Sequence, residues 1–117
     1  MPEKSALFYI MRFGISNYTF SLCSSLKDIS IPNSVKEIGD CAFYACYSLH
    51  SIDIPNSVKR IGRQAFDSSG VQSVYIPDSV EEISSDAFDM SSLKSISLPS
   101  HIKIAPIPHY KVNIEWR

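Results

Sequence analysis

This chain repeats one phrase. It reads LKDISIPNSVKEIGDCAF from Leu26, LHSIDIPNSVKRIGRQAF from Leu49 and VQSVYIPDSVEEISSDAF from Val71, and decays to LKSISLPSHIKIA from Leu93. Successive starts are 23, 22 and 22 residues apart. A unit this short cannot bury its own apolar residues, so the copies must stack, and a solenoid is the expected outcome.

The prolines Pro32, Pro55, Pro77 and Pro99 align the copies. Three residues before each stands Ile29, Ile52, Val74 or Ile96, and one before stands Ile31, Ile54, Ile76 or Leu98. Polar residues fall between, which is the period of a strand with one buried face. Proline ends that strand because it cannot donate to a ladder. Asn33-Ser34, Asn56-Ser57 and Asp78-Ser79 then favour a turn by bonding their own backbone. The pairs Val35/Ile38, Val58/Ile61 and Val80/Ile83 follow at a spacing of three, which fits either a bent second strand or a helical turn. Ala42-Phe43, Ala65-Phe66 and Ala87-Phe88 close each unit, read as a short helical turn that puts the ring in the core.

Charges support parallel, in-register stacking. Lys36-Glu37, Lys59-Arg60 and Glu81-Glu82 share one slot, so Glu37 should meet Arg60, Arg60 should meet Glu82, and Lys59 should meet Glu81. These are solvated charges that choose a register.

The ends of a stack need covers, or their edges aggregate. Residues 1–25 read as a degenerate first repeat: Phe20 to Leu26 spans the same steps as Phe43 to Leu49, Ile15 takes the Ile38 slot and Phe8 the Ile31 slot, although Tyr9 and Arg12 break the pattern. Full repeats occupy 26–48, 49–70 and 71–92. Residues 93–117 form a partial repeat and a capping strand: Ile102 and Tyr110 hold their slots, Pro106 and Pro108 interrupt, and Val112, Ile114 and Trp116 alternate with Lys111, Asn113, Glu115 and Arg117. Either end could instead form a homodimer contact, through Ala6–Phe13 or Val112–Trp116. The whole chain, 1–117, is expected to be one domain.

Several function classes find no support. A net charge of −1, with 44% hydrophobic and 20% charged residues, gives no electrostatic case for nucleic acid or an anionic membrane. The longest apolar run, Ala6 to Met11, is far short of a membrane span, and no signal peptide is apparent. No catalytic, phosphate-binding or paired-cysteine metal motif occurs, so no enzyme activity, cofactor or metal is expected. His50, His101 and His109 fall at unrelated repeat positions, which leaves no base held beside a cysteine. Cys23 and Cys46 occupy equivalent slots; a disulfide is geometrically possible, and burial as small apolar side chains is the simpler reading. Cys41 shares its slot with Gln64 and Asp86 and is expected at the surface. Asn17-Tyr18-Thr19 is a glycosylation triplet that matters only on a eukaryotic secretory route.

The phrase LxxIxIPxSVxxIxxxAF resembles the BspA-like leucine-rich repeat family of bacterial and protozoan surface proteins. The resemblance covers residues 26–105 closely and 15–25 loosely. The asparagine slot of commoner leucine-rich repeats holds Ser34, Ser57, Ser79 and His101 here, so no buried asparagine ladder is expected. The resemblance implies an α/β leucine-rich-repeat solenoid, right-handed and curved, with parallel strands on the concave side and only short helical turns on the convex side. It further implies a non-enzymatic protein-interaction module, adhesive, at a cell surface or secreted. The lack of a signal peptide leaves a cytoplasmic location or a fragment open. A structural spacer or self-associating segment is the alternative role.

On such a fold the residues flanking the inward isoleucines face outward on the concave sheet. They are Asp28 and Ser30, Ser51 and Asp53, Ser73 and Tyr75, and Ser95 and Ser97, with Lys27, His50, Gln72 and Lys94 at the strand entrances. Adjacent strands present side chains on a fixed grid about 4.8 Å apart, which suits a protein partner. Tyr75 is the exposed aromatic of this grid and the expected anchor. The competing reading is a plain solvated sheet.

Overall fold

The computed structural model describes Ile10, residues 14–103 and residues 111–117. The expectations placed on Phe8, Tyr9, Arg12, Pro106, Pro108, His109, Tyr110 and the Ala6–Phe13 segment lie outside these residues.

Among the described residues, six short strands form two parallel sheets. In one, β1 (Glu37–Ile38), β2 (Arg60–Ile61) and β4 (Glu82–Ile83) lie side by side. In the other, β3 (Ser73–Tyr75), β5 (Ser95–Leu98) and β6 (Asn113–Trp116) do so. Like sits on like throughout: Ile38 pairs with Ile61 and Ile61 with Ile83, while Val74 pairs with Ile96 and Ile96 with Ile114. The spacing-of-three motif is thus a second strand. Ile15 bridges to Ile38 in parallel, so the degenerate first repeat joins the stack in the expected register.

The strand predicted before each proline forms in the later repeats only. Ile29–Ile31 and Ile52–Ile54 face inward like their counterparts but do not pair as strands. A crevice of about 300 Å³ lies there, lined by Ile29, Ser30, Ile31, Asn33, Asp53, Ile54 and Pro55. Unlike β5, the first of these segments has no described strand on its N-terminal side to hold it.

The Ala-Phe segments turn without forming a helix, and their hydrogen bonds explain why. The N–H groups of Cys41, Phe43 and Ala45 donate across to the carbonyls of Arg63, Ala65 and Asp67, at 2.8, 2.8 and 2.9 Å. The alternate N–H groups of Ala42, Tyr44 and Cys46 donate locally to Gly39, Cys41 and Phe43. A helix would keep every N–H within its own segment; here half belong to the next repeat. Left-handed residues make this possible. Tyr18, Cys41 and Gln64 have φ of 64°, 54° and 53°, and Leu22, Ala45, Ser68 and Met90 lie between 55° and 65°. Such conformations are costly for residues with a Cβ, and the cross-repeat bonds offset the cost.

Those turns drive a phenylalanine into the centre of four successive repeats. Phe20, Phe43, Phe66 and Phe88 stack at centroid separations of 5.4, 5.2 and 5.1 Å, with rings within 17°, 5° and 6° of parallel. The spacing is close to the inter-strand distance of about 4.8 Å. Each ring is essentially inaccessible to water. Valines, isoleucines and leucines of the other slots complete one continuous apolar interior.

Two glycines let the repeats approach. A Cβ on Gly39 would sit 2.5 Å from the backbone N of Asn17, and one on Gly62 would sit 2.8 Å from the backbone N of Asp40. On the surface, Arg60 meets Glu37 at 2.8 Å and Asp40 at 3.3 Å, and Lys59 approaches Glu81 at 3.9 Å. Glu82 lies opposite Arg60 in the ladder. Burial alone would make Arg60 easier to deprotonate, but Glu37, Asp40 and Glu82 reverse that and raise its pKa.

Phe66→Ala is expected to cost about 3–5 kcal/mol, since it opens a hole in the middle of the ring column. Urea unfolding followed by circular dichroism measures it. Exposed Glu81→Ala should cost within about 0.5 kcal/mol.

Candidate functional site

The outward face of the second sheet forms an open groove of about 520 Å³. Strand parity builds it. Val74, Ile96 and Ile114 point inward, so Ser73, Tyr75, Ser95, Ser97, Asn113 and Glu115 point out. Ser51 and Asp53 extend the same lining onto the preceding repeat. Six of the eight residues expected to contact a partner therefore share one surface: Ser51, Asp53, Ser73, Tyr75, Ser95 and Ser97. Ser30 belongs to the smaller crevice beside it, and Asp28 lines neither.

Registration orders the lining into rows. Tyr75 lies beside Ser97, and Ser97 beside Glu115; Ser73 lies beside Ser95, and Ser95 beside Asn113. Asp53 is the repeat equivalent of Tyr75 and continues the first row. Small serines leave the centre low, while Tyr75 stands up with 55% of its surface exposed.

Three site residues were missed: Asn113, Glu115 and Arg117. The Val112/Ile114/Trp116 alternation predicts a cover, and the same parity turns these three outward. Arg117 does most to shape the site. Its guanidinium carbon lies 3.9 Å from the centre of the Tyr75 ring, a cation–π stack. Nη1 donates to Ser97 Oγ at 2.5 Å, and Nη2 donates to the Ile76 carbonyl and to Asp78 Oδ1, the latter at 3.0 Å. Ser97 Oγ in turn donates to Glu115 Oε1 at 3.3 Å. One arginine thus ties β6 across β5 to β3 and props the tyrosine. No pairing pattern in the sequence signals a contact between residues this far apart along the chain.

β6 covers the last repeat less fully than expected. Val112 and Ile114 pack against the core, whereas Trp116, in the slot filled by buried Ile76 and Leu98, is 49% exposed. Its slot has no following repeat to close over it among the described residues. The slot of the missing asparagine ladder has a substitute at one level: His101 Nε2 donates to the Val80 carbonyl at 2.7 Å. The Ser57 and Ser79 hydroxyls in the same slot are buried without partners.

The three cysteines are free thiols. Cys46 is fully buried and donates to the Phe20 carbonyl at 3.2 Å. Burial, together with the neighbouring Cys23, pushes its pKa from 9.0 to about 12. Cys41 is half-buried, with its thiol directed at Gln64 Oε1. Among the described residues, no three His, Cys, Asp or Glu side chains gather to hold a metal ion.

A family model of the BspA type leucine rich repeat region matches six copies across residues 14–110. The chain belongs to this family. Its repeats generally serve protein–protein interaction rather than catalysis, and its members are often associated with the cell surface. Two solved structures share the fold. One is a leucine-rich repeat protein from Bacteroides ovatus ATCC 8483, 33% identical, with a TM-score of 0.65 over 76% of this chain. The other is a leucine-rich repeat protein of T. pallidum, 26% identical, with a TM-score of 0.56 over 86% of this chain. The chain spans 30% and 65% of the lengths of those two proteins. No curated protein matches.

Reactivity follows from the cysteine environments. The thiolate is the reacting form, and a pKa near 12 leaves about a thousandth of Cys46 ionised at pH 9. The sign is that of a raised pKa: stability from the buried neutral thiol is intact below pH 9 and is lost as pH rises toward 12. Iodoacetamide mapping by mass spectrometry at pH 9 is expected to label Cys23 and Cys41 first, with Cys46 reacting only as the protein unfolds.

Proposed function

We propose that this BspA-type repeat domain is a non-enzymatic adhesive module that binds a protein partner through the groove on its second sheet. We take the fold to be a right-handed curved solenoid, with this sheet on its concave side and its repeats bounded at 26–48, 49–70 and 71–92. The observation that supports the reading is the convergence of Ser51, Asp53, Ser73, Tyr75, Ser95 and Ser97 on one open surface. A propped, half-exposed tyrosine over a bed of small polar side chains suits an anchor contact, since tyrosine is enriched at the centres of interfaces. Surface display fits the family's habit.

Tyr75→Ala and Asp53→Lys are each expected to weaken partner capture by about tenfold or more while leaving the circular dichroism spectrum unchanged. Crosslinking capture on cell surfaces and extracellular matrix measures this. Unchanged capture by both variants puts the site elsewhere.

One observation favours self-association as a second reading. Among the described residues β6 is the outermost strand of its sheet, and the half-exposed Trp116 stands at that edge. An open edge of this kind is a template for pairing with another chain. Sedimentation should then show a concentration-dependent dimer that Trp116→Lys abolishes. A monomer at the highest attainable concentration rejects it.

A further inference from the structure

The groove has a charge pattern that narrows what can lie in it. Asp53 and Glu115 stand at the two ends of one row, with Tyr75 and Ser97 between. Asp53 lies outside the ladder but is one repeat before Tyr75, so three repeat steps of about 4.8 Å put the two carboxylates roughly 14 Å apart. Asp53 is exposed and makes no hydrogen bond or ion pair among the described residues. Glu115 is exposed and holds only the Ser97 hydroxyl. Arg117 brings a positive charge to this end of the groove, where it pairs with Asp78 at 3.0 Å and shares the Ser97 hydroxyl with Glu115. The row therefore keeps two carboxylates without a direct ion pair among the described residues, flanking a tyrosine whose ring already accepts a guanidinium from within the chain.

Resting on the groove as the partner site, the geometry points to its occupant: an extended basic segment lying across the strands, with cationic side chains four residues apart. Extended chain advances about 3.4 Å per residue, so positions i and i+4 are roughly 14 Å apart and share a face. One cation meets Asp53 and the other Glu115. The side chain at i+2 lies over Tyr75 and Ser97. Opposite charges at both ends fix the register of the segment along the row, which is what interfacial charges do best. An acidic segment meets like charge at both ends and is rejected.

The test uses the full chain and two pentapeptides of one composition. The first is arginine–serine–leucine–serine–arginine, and the second is its isomer arginine–arginine–leucine–serine–serine, each measured by calorimetric titration. The spaced peptide is expected to bind up to about fivefold more tightly than the isomer, which keeps one charge pair and forfeits the other. The double variant Asp53→Asn/Glu115→Gln should erase that difference. Glu81→Gln/Glu82→Gln, which removes the same charge on the other sheet, should keep it. Equal binding of the isomers, or equal loss in the control variant, overturns the inference. If Tyr75→Ala still lowers partner capture while the isomers bind alike, the groove stands as the partner site and the cation spacing alone falls.

Discussion

Each repeat leaves half of its turn N–H groups for the next repeat to satisfy, and everything else in the structure follows from that dependence. Phe43 donates to Ala65 and Phe66 to Ala87, so every phenylalanine is held at the separation of two hydrogen-bonded backbones. The rings then have little choice but to lie parallel at 5.1–5.4 Å. Aromatic pairs prefer an offset or an edge contact when free to move. Here the ladder overrides that preference, and burial of the whole column stabilises the result. The same closeness explains why Gly39 and Gly62 carry no side chain and why seven residues with a Cβ accept left-handed backbone.

Stacking like on like suits apolar residues and penalises charged ones, because a charge repeated at every level would face itself. Alternation resolves the problem. Glu37, Arg60 and Glu82 follow one another in the first sheet, and Lys59 is answered by Glu81. Exposed pairs of this kind contribute only ~0.2–1 kcal/mol each. Asp86 follows the same logic. Burial opposes its charge, yet the Ser84 hydroxyl, the Gln64 N–H and Arg63 together hold its carboxyl below the usual range. A polar group is tolerated between repeats where the neighbouring repeat supplies a donor.

The features readable in the sequence were those repeated at every level. The inward columns, the phenylalanine stack, the ion pairs and the slot of Ile15 all follow from one spacing applied four or five times. What escaped was chemistry that occurs once or depends on backbone bonds. The Ala-Phe turn looked helical because sequence shows which residue is buried but not which neighbour its N–H serves. Identical inward residues at Ile29–Ile31 and Ile52–Ile54 do not guarantee an identical ladder, because pairing also needs a neighbouring strand to bond. Asn113 and Glu115 are legible by parity, since a capping strand has an outward face as well as an inward one. Arg117 was not legible: its contacts with Tyr75, Ile76 and Asp78 span the sheet and belong to no repeat.

A period of two separates folding from binding on the same strand. At Ser73–Tyr75 the central valine is committed to the core, while Ser73 points outward and has no packing duty there. Substitution on the outward side is therefore cheap, and a repeat can change its partner without changing its fold. The exception is the last strand, where function and closure meet in one side chain. Arg117 secures β6 to the sheet and orients Tyr75, so altering the groove at that end also loosens the edge. At the opposite end, Asp53 is free of any such duty among the described residues. A partner contact at Asp53 can thus evolve independently of stability, whereas one at Tyr75 cannot, and this asymmetry gives the groove a fixed end and a variable end.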